Sequence, residues 1–331
     1  MHNTSFQVFF TESLPWIFIV QTTSNWRANF LLLLTAMIWG SSFVAQRQGM
    51  EHVSPFTFNG LRFLVGAVSL LPILFHSRSK EYNSTGTMPL LSWPIIAGGF
   101  SLGLVLFAGA SLQQIGIVET TAGKAGFITG LYVIIVPLLG LFGKQNTRFG
   151  TWLGALLAVI GMYFLSVTDD LSLSRGDLLV LCSALFWAMH VQLISRLCQK
   201  HDALQLSFYQ FLFCALFSLL TALQWETISL AGIRGALFPI FYTGIFSVGI
   251  AYTLQVVAQK KAHPAHAAII LSLESVFAVL AGYFILGEIL TPRGLFGCSL
   301  MLAGMLLSQL LTSRNSDQIL RGSRWYRKIL N

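Results

Sequence analysis

The chain has 331 residues, of which 55% are hydrophobic and only 10% charged, and its formal net charge is +8. Soluble domains carry roughly 25% charged residues, so this composition could not keep a water-facing surface wet, and a soluble fold is excluded. The basic residues are dealt out among loops, which argues against nucleic acid as a partner and makes the lipid bilayer the natural one.

A membrane-spanning helix needs about 20 apolar residues, because it rises 1.5 Å per residue through a hydrocarbon layer of about 30 Å. Residues 1–26 hold an apolar run broken by Thr11, Glu12 and Pro15 and lack a basic n-region. They read as an interfacial or disordered leader rather than a signal peptide or a further span. Ten apolar stretches follow, near 28–46, 56–75, 94–114, 121–142, 149–167, 177–196, 204–223, 235–257, 264–286 and 294–312. The breaks carry turn chemistry or charge: Ser54-Pro55, the polar run His76 to Gly86, Lys144-Gln145-Asn146, Asp169-Asp170 and Thr291-Pro292-Arg293. A basic tail, 313–331, closes the chain and suits anionic lipid. Cys182, Cys198, Cys214 and Cys298 form no CxxC pair and read as small apolar packing residues.

Lysines and arginines in alternate loops set the expected orientation. Fourteen fall on one side, from Arg27, Arg78 and Lys80 through Lys260 and Lys261 to the tail, and four on the other: Arg47, Arg175, Arg234 and Arg293. Both termini are therefore expected in the cytoplasm of a multi-pass inner (plasma) membrane protein. The outer loops collect acids, among them Glu119, Asp177, Glu226 and Glu288.

The two halves resemble each other. Trp39 and Trp187 coincide at an offset of 148, and an offset of 143 aligns Ala122 with Ala265, Gly154 with Gly297 and Gly161 with Gly304. Repeats at 27–168 and 169–312 would each hold five spans, an odd number, so the second must enter the membrane from the opposite side. The expected fold class is an all-α membrane protein: ten transmembrane helices as a 5+5 inverted repeat around a central cavity, an architecture of secondary transporters.

Four segments carry a family likeness: Ala36-Met-Ile-Trp-Gly-Ser-Ser-Phe43, Leu61-Arg-Phe63, Thr121-Ala-Gly-Lys-Ala-Gly-Phe-Ile-Thr-Gly-Leu-Tyr132, and Ser272-Leu-Glu-Ser-Val-Phe277 followed by Leu286-Gly-Glu288. Together they resemble the drug/metabolite transporter superfamily, EamA type, over about residues 29 to 312. The resemblance implies a cavity lined chiefly by spans 1, 3, 4, 6, 8 and 9, and export or exchange of amino acids and related metabolites. The proline usual after the glutamate of span 9 is Ser275 here.

Depth along the spans singles out candidate substrate-binding residues. Trp39 and Trp187 lie about ten residues into spans 1 and 6, at the midplane, whereas membrane tryptophans favour the interfaces. They are expected to wall a pocket, with Ser42 and His190 three residues further on the same faces. Tyr132 lies near the midplane of span 4. Glu274, about ten residues into span 9, is a carboxylate deep in the membrane, where a charge costs several kcal/mol unless water, a cation or a proton meets it. It reads as a ligand for a substrate ammonium or as a proton carrier, with the proton as a candidate coupling ion. Lys124 is the second charged candidate, and Tyr252 and Gln255 add polar groups on span 8. Arg62 is expected to snorkel from span 2, at the periphery. Gly126-x-x-x-Gly130 and Gly150-x-x-x-Gly154 read as close-packing sites. His263 and His266 lack a third ligand nearby, and neither a metal nor a cofactor is expected.

No HExxH or phosphate-binding glycine loop occurs, so an intramembrane enzyme is disfavoured. A receptor would need a sizeable soluble domain. The expectation is a permease moving a small-molecule substrate by alternating access, an amino acid first and an aromatic or heterocyclic metabolite (nucleoside derivative, vitamin or drug) second.

Overall fold

The structure is a computed structural model, and it describes residues 26–85, 92–142, 149–166, 174–262, 264–304 and 306–307. The expected leader up to residue 25, the tail 313–331 and His263 lie outside the described residues. The first half comprises α1 (Trp26–Gly49), α2 (Pro55–Thr85), α3 (Trp93–Gly116), α4 (Ala122–Gly130), α5 (Tyr132–Phe142) and α6 (Phe149–Ser166). The second comprises α7 (Arg175–Leu197), α8 (Ala203–Trp225), α9 (Leu230–Gly235), α10 (Leu237–Tyr242), a π-helical segment Thr243–Tyr252, α11 (Thr253–Gln259), α12 (Pro264–Ser272), α13 (Glu274–Ala281), a π-helical segment Gly282–Leu286, and α14 over 292–304.

Among the described residues eight helical stretches are long and apolar enough to cross a membrane, and Trp152–Leu165 forms a shorter apolar helix. Their outward surface is apolar, with Phe100, Val159, Leu216, Leu223, Phe238 and Phe284 exposed. Such a surface is stable against lipid tails and not against water.

Three sequence expectations about helix ends need correction. The polar run after His76 does not end α2, which stays helical to Thr85. The fourth apolar stretch is two helices meeting at Leu131, and the ninth is two meeting at Leu273. The first junction follows Gly130 directly, whereas the second has no proline or glycine at the break. Polar side chains cluster at both: Thr129, Tyr132, Ser272, Glu274 and Ser275.

Without a hydrophobic drive between helices in lipid, close approach rests on small residues. A Cβ on Gly40 of α1 would lie 2.3 Å from the Phe277 Cβ of α13 and 2.8 Å from the Glu274 carbonyl. One on Gly126 of α4 would lie 2.4 Å from the Ala278 Cβ. Both glycines thus let α13 nest against α1 and α4. Gly161 of α6 and Gly297 of α14 face each other, each Cβ position lying 2.6 Å from the other's carbonyl.

Elsewhere α2 packs on α8, and α3 on α7 and α8. Between these layers lies a core holding Phe63, Leu106, Trp187, Phe211, Tyr252 and Leu271.

Candidate functional site

A cavity opens in the middle of this core, at the junctions of the broken helices. Its lining draws on both halves: Trp39, Phe43, Gln46, Arg62, Gln113, Thr129 and Tyr132 from the first, and Trp187, His190, Val191, Ser247, Tyr252, Gln255 and Glu274 from the second. Its volume is about 40 Å³, room for roughly three waters at the 10–15 Å³ each needs. Anything as large as an amino acid must displace a ring or part the helices to sit there.

Tyr252 is the hub of the aromatic wall. Its ring centroid lies 4.6 Å from that of Trp39, 6.2 Å from Trp187, 6.0 Å from His190, 5.9 Å from Phe211 and 6.3 Å from Phe63. The indole N–H groups, which cost free energy if left unpaired at this depth, both have protein acceptors. Trp39 Nε1 donates to the Ser247 carbonyl at 3.1 Å, and Trp187 Nε1 to Gln113 Oε1 at 2.8 Å. Ser247 and Tyr252 belong to the ten-residue π-helical segment, a helix form that is rare and recurs at functional sites.

The polar groups form two sets. Gln113 ties the first set together, accepting from Trp187 and Thr129 and donating to Gln46 Oε1 at 3.2 Å. His190 Nε2 lies 2.8 Å from Gln210 Oε1. The second set is unsatisfied. Tyr132 Oη, Gln255 Oε1 and Glu274 Oε1 are buried with no hydrogen-bond partner among the described residues. All three residues line the same cavity.

Arg62 is the residue the sequence misplaced. Rather than snorkelling at the periphery, it is 3% exposed and lines the cavity. Its Nε donates to Asn59 Oδ1 at 2.9 Å, and its guanidinium carbon lies 4.9 Å from the Phe63 ring centroid and 5.6 Å from that of Phe58. Asn59, one helical turn earlier on the same face, was the available signal, because a buried amide beside an arginine marks an inward and not a lipid-facing side.

Of the candidates read from sequence, Trp39, Tyr132, Trp187, His190, Tyr252, Gln255 and Glu274 come together here. Two do not. Ser42 turns back to the Ile38 carbonyl of its own helix, at 2.7 Å. Lys124 pairs with Asp177 of α7, Nζ to Oδ2 at 2.7 Å. No group of three or more His, Cys, Asp or Glu that could hold a metal occurs among the described residues.

The Lys124–Asp177 pair belongs to a closure at one end of the bundle. Asp177 is wholly buried and its Oδ1 also accepts from Thr120 at 2.6 Å. Glu288 takes the backbone N–H groups of Ala122 and Gly123 at 2.9 and 3.0 Å, capping α4. Gly287, at φ 67°, sits at the left-handed turn just before it. Glu226 takes those of Phe56 and Thr57 at 2.8 and 2.7 Å, capping α2. Carboxylates at helix N-termini satisfy orphan donors and meet the positive end of the dipole. Three acids of the second half thus fasten three points of the first. Arg47 adds a bond within the first half, Nη1 donating to the Ile117 carbonyl at 2.8 Å.

The EamA-like transporter family model matches the chain twice, over residues 26–167 and 174–310. An "uncharacterized transporter" of Archaeoglobus fulgidus is 32% identical over 293 residues, covering 86% of both chains. The S-adenosylmethionine/S-adenosylhomocysteine transporter of Chlamydia trachomatis is 25% identical over 298 residues, 84% of this chain and 87% of its own. A crystal structure superposes with a TM-score of 0.63 at 18% identity, over 86% of this chain and 98% of the other, a likeness of fold. A double family match that spans nearly all the described residues, on a bundle whose polar cavity lies between the matched halves, places this multi-pass membrane protein in the EamA-like transporter family of small-molecule permeases.

Proposed function

We propose that the chain is a secondary transporter of the inner membrane that carries an amino acid or related metabolite by alternating access to the central cavity. The observation that carries this reading is Glu274, a buried carboxylate lining that cavity with an unpartnered oxygen. A charge at this depth is costly, and a substrate ammonium would offset that cost when bound. The same carboxylate can take a proton when the ammonium leaves, which makes the proton the candidate coupling ion.

The mechanism rests on an inverted 5+5 repeat of ten spans. The pattern of packing supports it. A pseudo-twofold axis would pair span 4 with 9, 5 with 10 and 2 with 7, and the observed contacts of α4 with α13, α6 with α14, and α2 with α8 fit those pairs. The breaks at Leu131 and Leu273 fall within one residue of equivalence at the offset of 143. Broken helices at the midplane are where secondary transporters place their substrates. The charge asymmetry of the loops supports an orientation with both termini in the cytoplasm and the Lys124–Asp177 closure outside.

A second reading is an aromatic or heterocyclic metabolite, favoured by the stack of Trp39, Tyr252 and Trp187 and by the name of the chlamydial relative. Compounds with an adenine ring and an amino-acid head would use both the stack and the carboxylate.

The test is an untargeted comparison of metabolites in cells and medium, with the chain expressed and without it. One amino-acid-like or heterocyclic compound is expected to shift severalfold between the compartments. No compound shifting, from a chain verified in the membrane, contradicts the transporter reading.

A further inference from the structure

We infer that Arg62 is a substrate-binding residue that grips a carboxylate, so that the ligand is a zwitterion spanning Arg62 and Glu274. This deepens the reading above, on which it rests. A guanidinium and a carboxylate in a low-dielectric interior attract strongly, and two such groups kept only to neutralise one another would meet in a salt bridge. These do not. Arg62 makes no ion pair among the described residues, although both side chains are 3% exposed and line one small cavity. Each charge therefore has its complement still to be supplied.

The way Arg62 is held fits the role. Asn59 takes its Nε, and the faces of Phe58 and Phe63 flank the guanidinium. That fixes the plane of the fork and leaves the two terminal amines uncommitted among the described residues. A planar pair of N–H donors matches a carboxylate bidentately, which a lysine cannot reproduce. Glu274 Oε1, without a partner in hydrogen-bond geometry and with the Tyr132 hydroxyl facing the same carboxylate, suits an ammonium, and Gln255 offers a further unpaired oxygen in the same lining. The rings of Trp39 and Tyr252 supply the apolar contact for a side chain. An amine without a carboxylate would enter facing an unpaired guanidinium, and a carboxylate without an amine an unpaired Glu274. The cavity thus selects for both groups together.

The test uses three probes that share a phenyl ring: L-phenylalanine, 2-phenylethylamine and 3-phenylpropionate, titrated into the purified full-length chain by calorimetry. The wild type is expected to bind L-phenylalanine most tightly. In Arg62→Gln its affinity should fall roughly tenfold to a hundredfold, the range for a lost charge-assisted pair, with 2-phenylethylamine unchanged or bound more tightly. Should Arg62→Gln fail to yield monodisperse protein, Arg62→Lys keeps the charge and loses the fork. It is expected to weaken L-phenylalanine severalfold and leave the amine unchanged. Equal weakening of amine and amino acid in either variant means that Arg62 is structural, and overturns the inference. So does a wild type that prefers the amine or binds none of the three. If metabolites still move across the membrane in that case, the transporter reading stands and the zwitterion assignment alone has failed.

Discussion

Glu274→Gln is expected to reduce transport at least tenfold while the protein stays folded and inserted. The substitution keeps the shape of the side chain and one hydrogen-bonding oxygen but removes the charge. Losing a charge-assisted hydrogen bond costs about 1.5–3 kcal/mol, a factor of roughly ten to a hundred and fifty in affinity for a cationic head. A proton carried on the carboxylate would be lost as well. Stability should move the other way. The amide is neutral, as the carboxyl is when it holds a proton, and leaves no unpaired buried charge behind, so the melting temperature is expected to be unchanged or raised. That combination, activity lost with stability kept, separates a ligand-binding carboxylate from a structural one. Substrate uptake into proteoliposomes and a thermal melt of the same preparation read both quantities. A variant that melts early and still transports would make Glu274 a packing group.

Asp177→Asn is expected to loosen the closure at the end assigned to the outside. In the closed bundle Asp177 is wholly buried, bonded to Thr120 and paired with Lys124 across the two halves. Breaking a buried pair by neutralising one partner costs about 3–5 kcal/mol. Lys124 retains 22% side-chain exposure and so finds water more readily, which argues for the lower end, about 3 kcal/mol. If that cost falls on the closed state alone, the closed-to-open equilibrium shifts by roughly a hundredfold. Spin labels replacing Val118 and Leu178, which are exposed near the pair on opposite halves, should report a longer and broader distance distribution in the variant. An unchanged distribution with a lowered melting point would mean that the pair supports the fold and does not gate.

The residues legible in the sequence were those that break a rule of depth. Trp39 and Trp187 stood at the midplane where tryptophans are uncommon, and Glu274 was a carboxylate inside an apolar run. A linear reading finds such violations, because depth follows from position along the span. Rotation about the helix axis is not linear in that way, and there the reading failed. Arg62 lies at a depth from which an arginine can snorkel, and only its neighbours Asn59, Phe58 and Phe63 distinguish an inward face. Lys124 was drawn towards the cavity because the family resemblance puts span 4 there, and its partner Asp177, in the first turn of α7, is not adjacent to it in sequence. The acids gathered in the loops were visible as a group. Their role in fastening one half to the other required knowing which helix ends meet. The broken helices at Leu131 and Leu273 were hidden for a different reason. The usual proline is absent from span 9, and the close approach of α13 to α1 at Gly40 and to α4 at Gly126 depends on which helices meet, which the sequence does not display.

The central claim is that one cavity is reached in turn from each side of the membrane. The measurement that tests it most directly is sided modification of a single cysteine at position 255, on the cavity wall, with the four native cysteines replaced by alanine. Membrane-impermeant thiol reagent is applied to one face of oriented vesicles at a time. Modification is expected from the cytoplasmic face at rest and from the outer face more slowly, with the outer rate rising many-fold in Asp177→Asn as the inner rate falls. Modification from neither face, or equal rates from both that ignore Asp177, would contradict alternating access through this cavity.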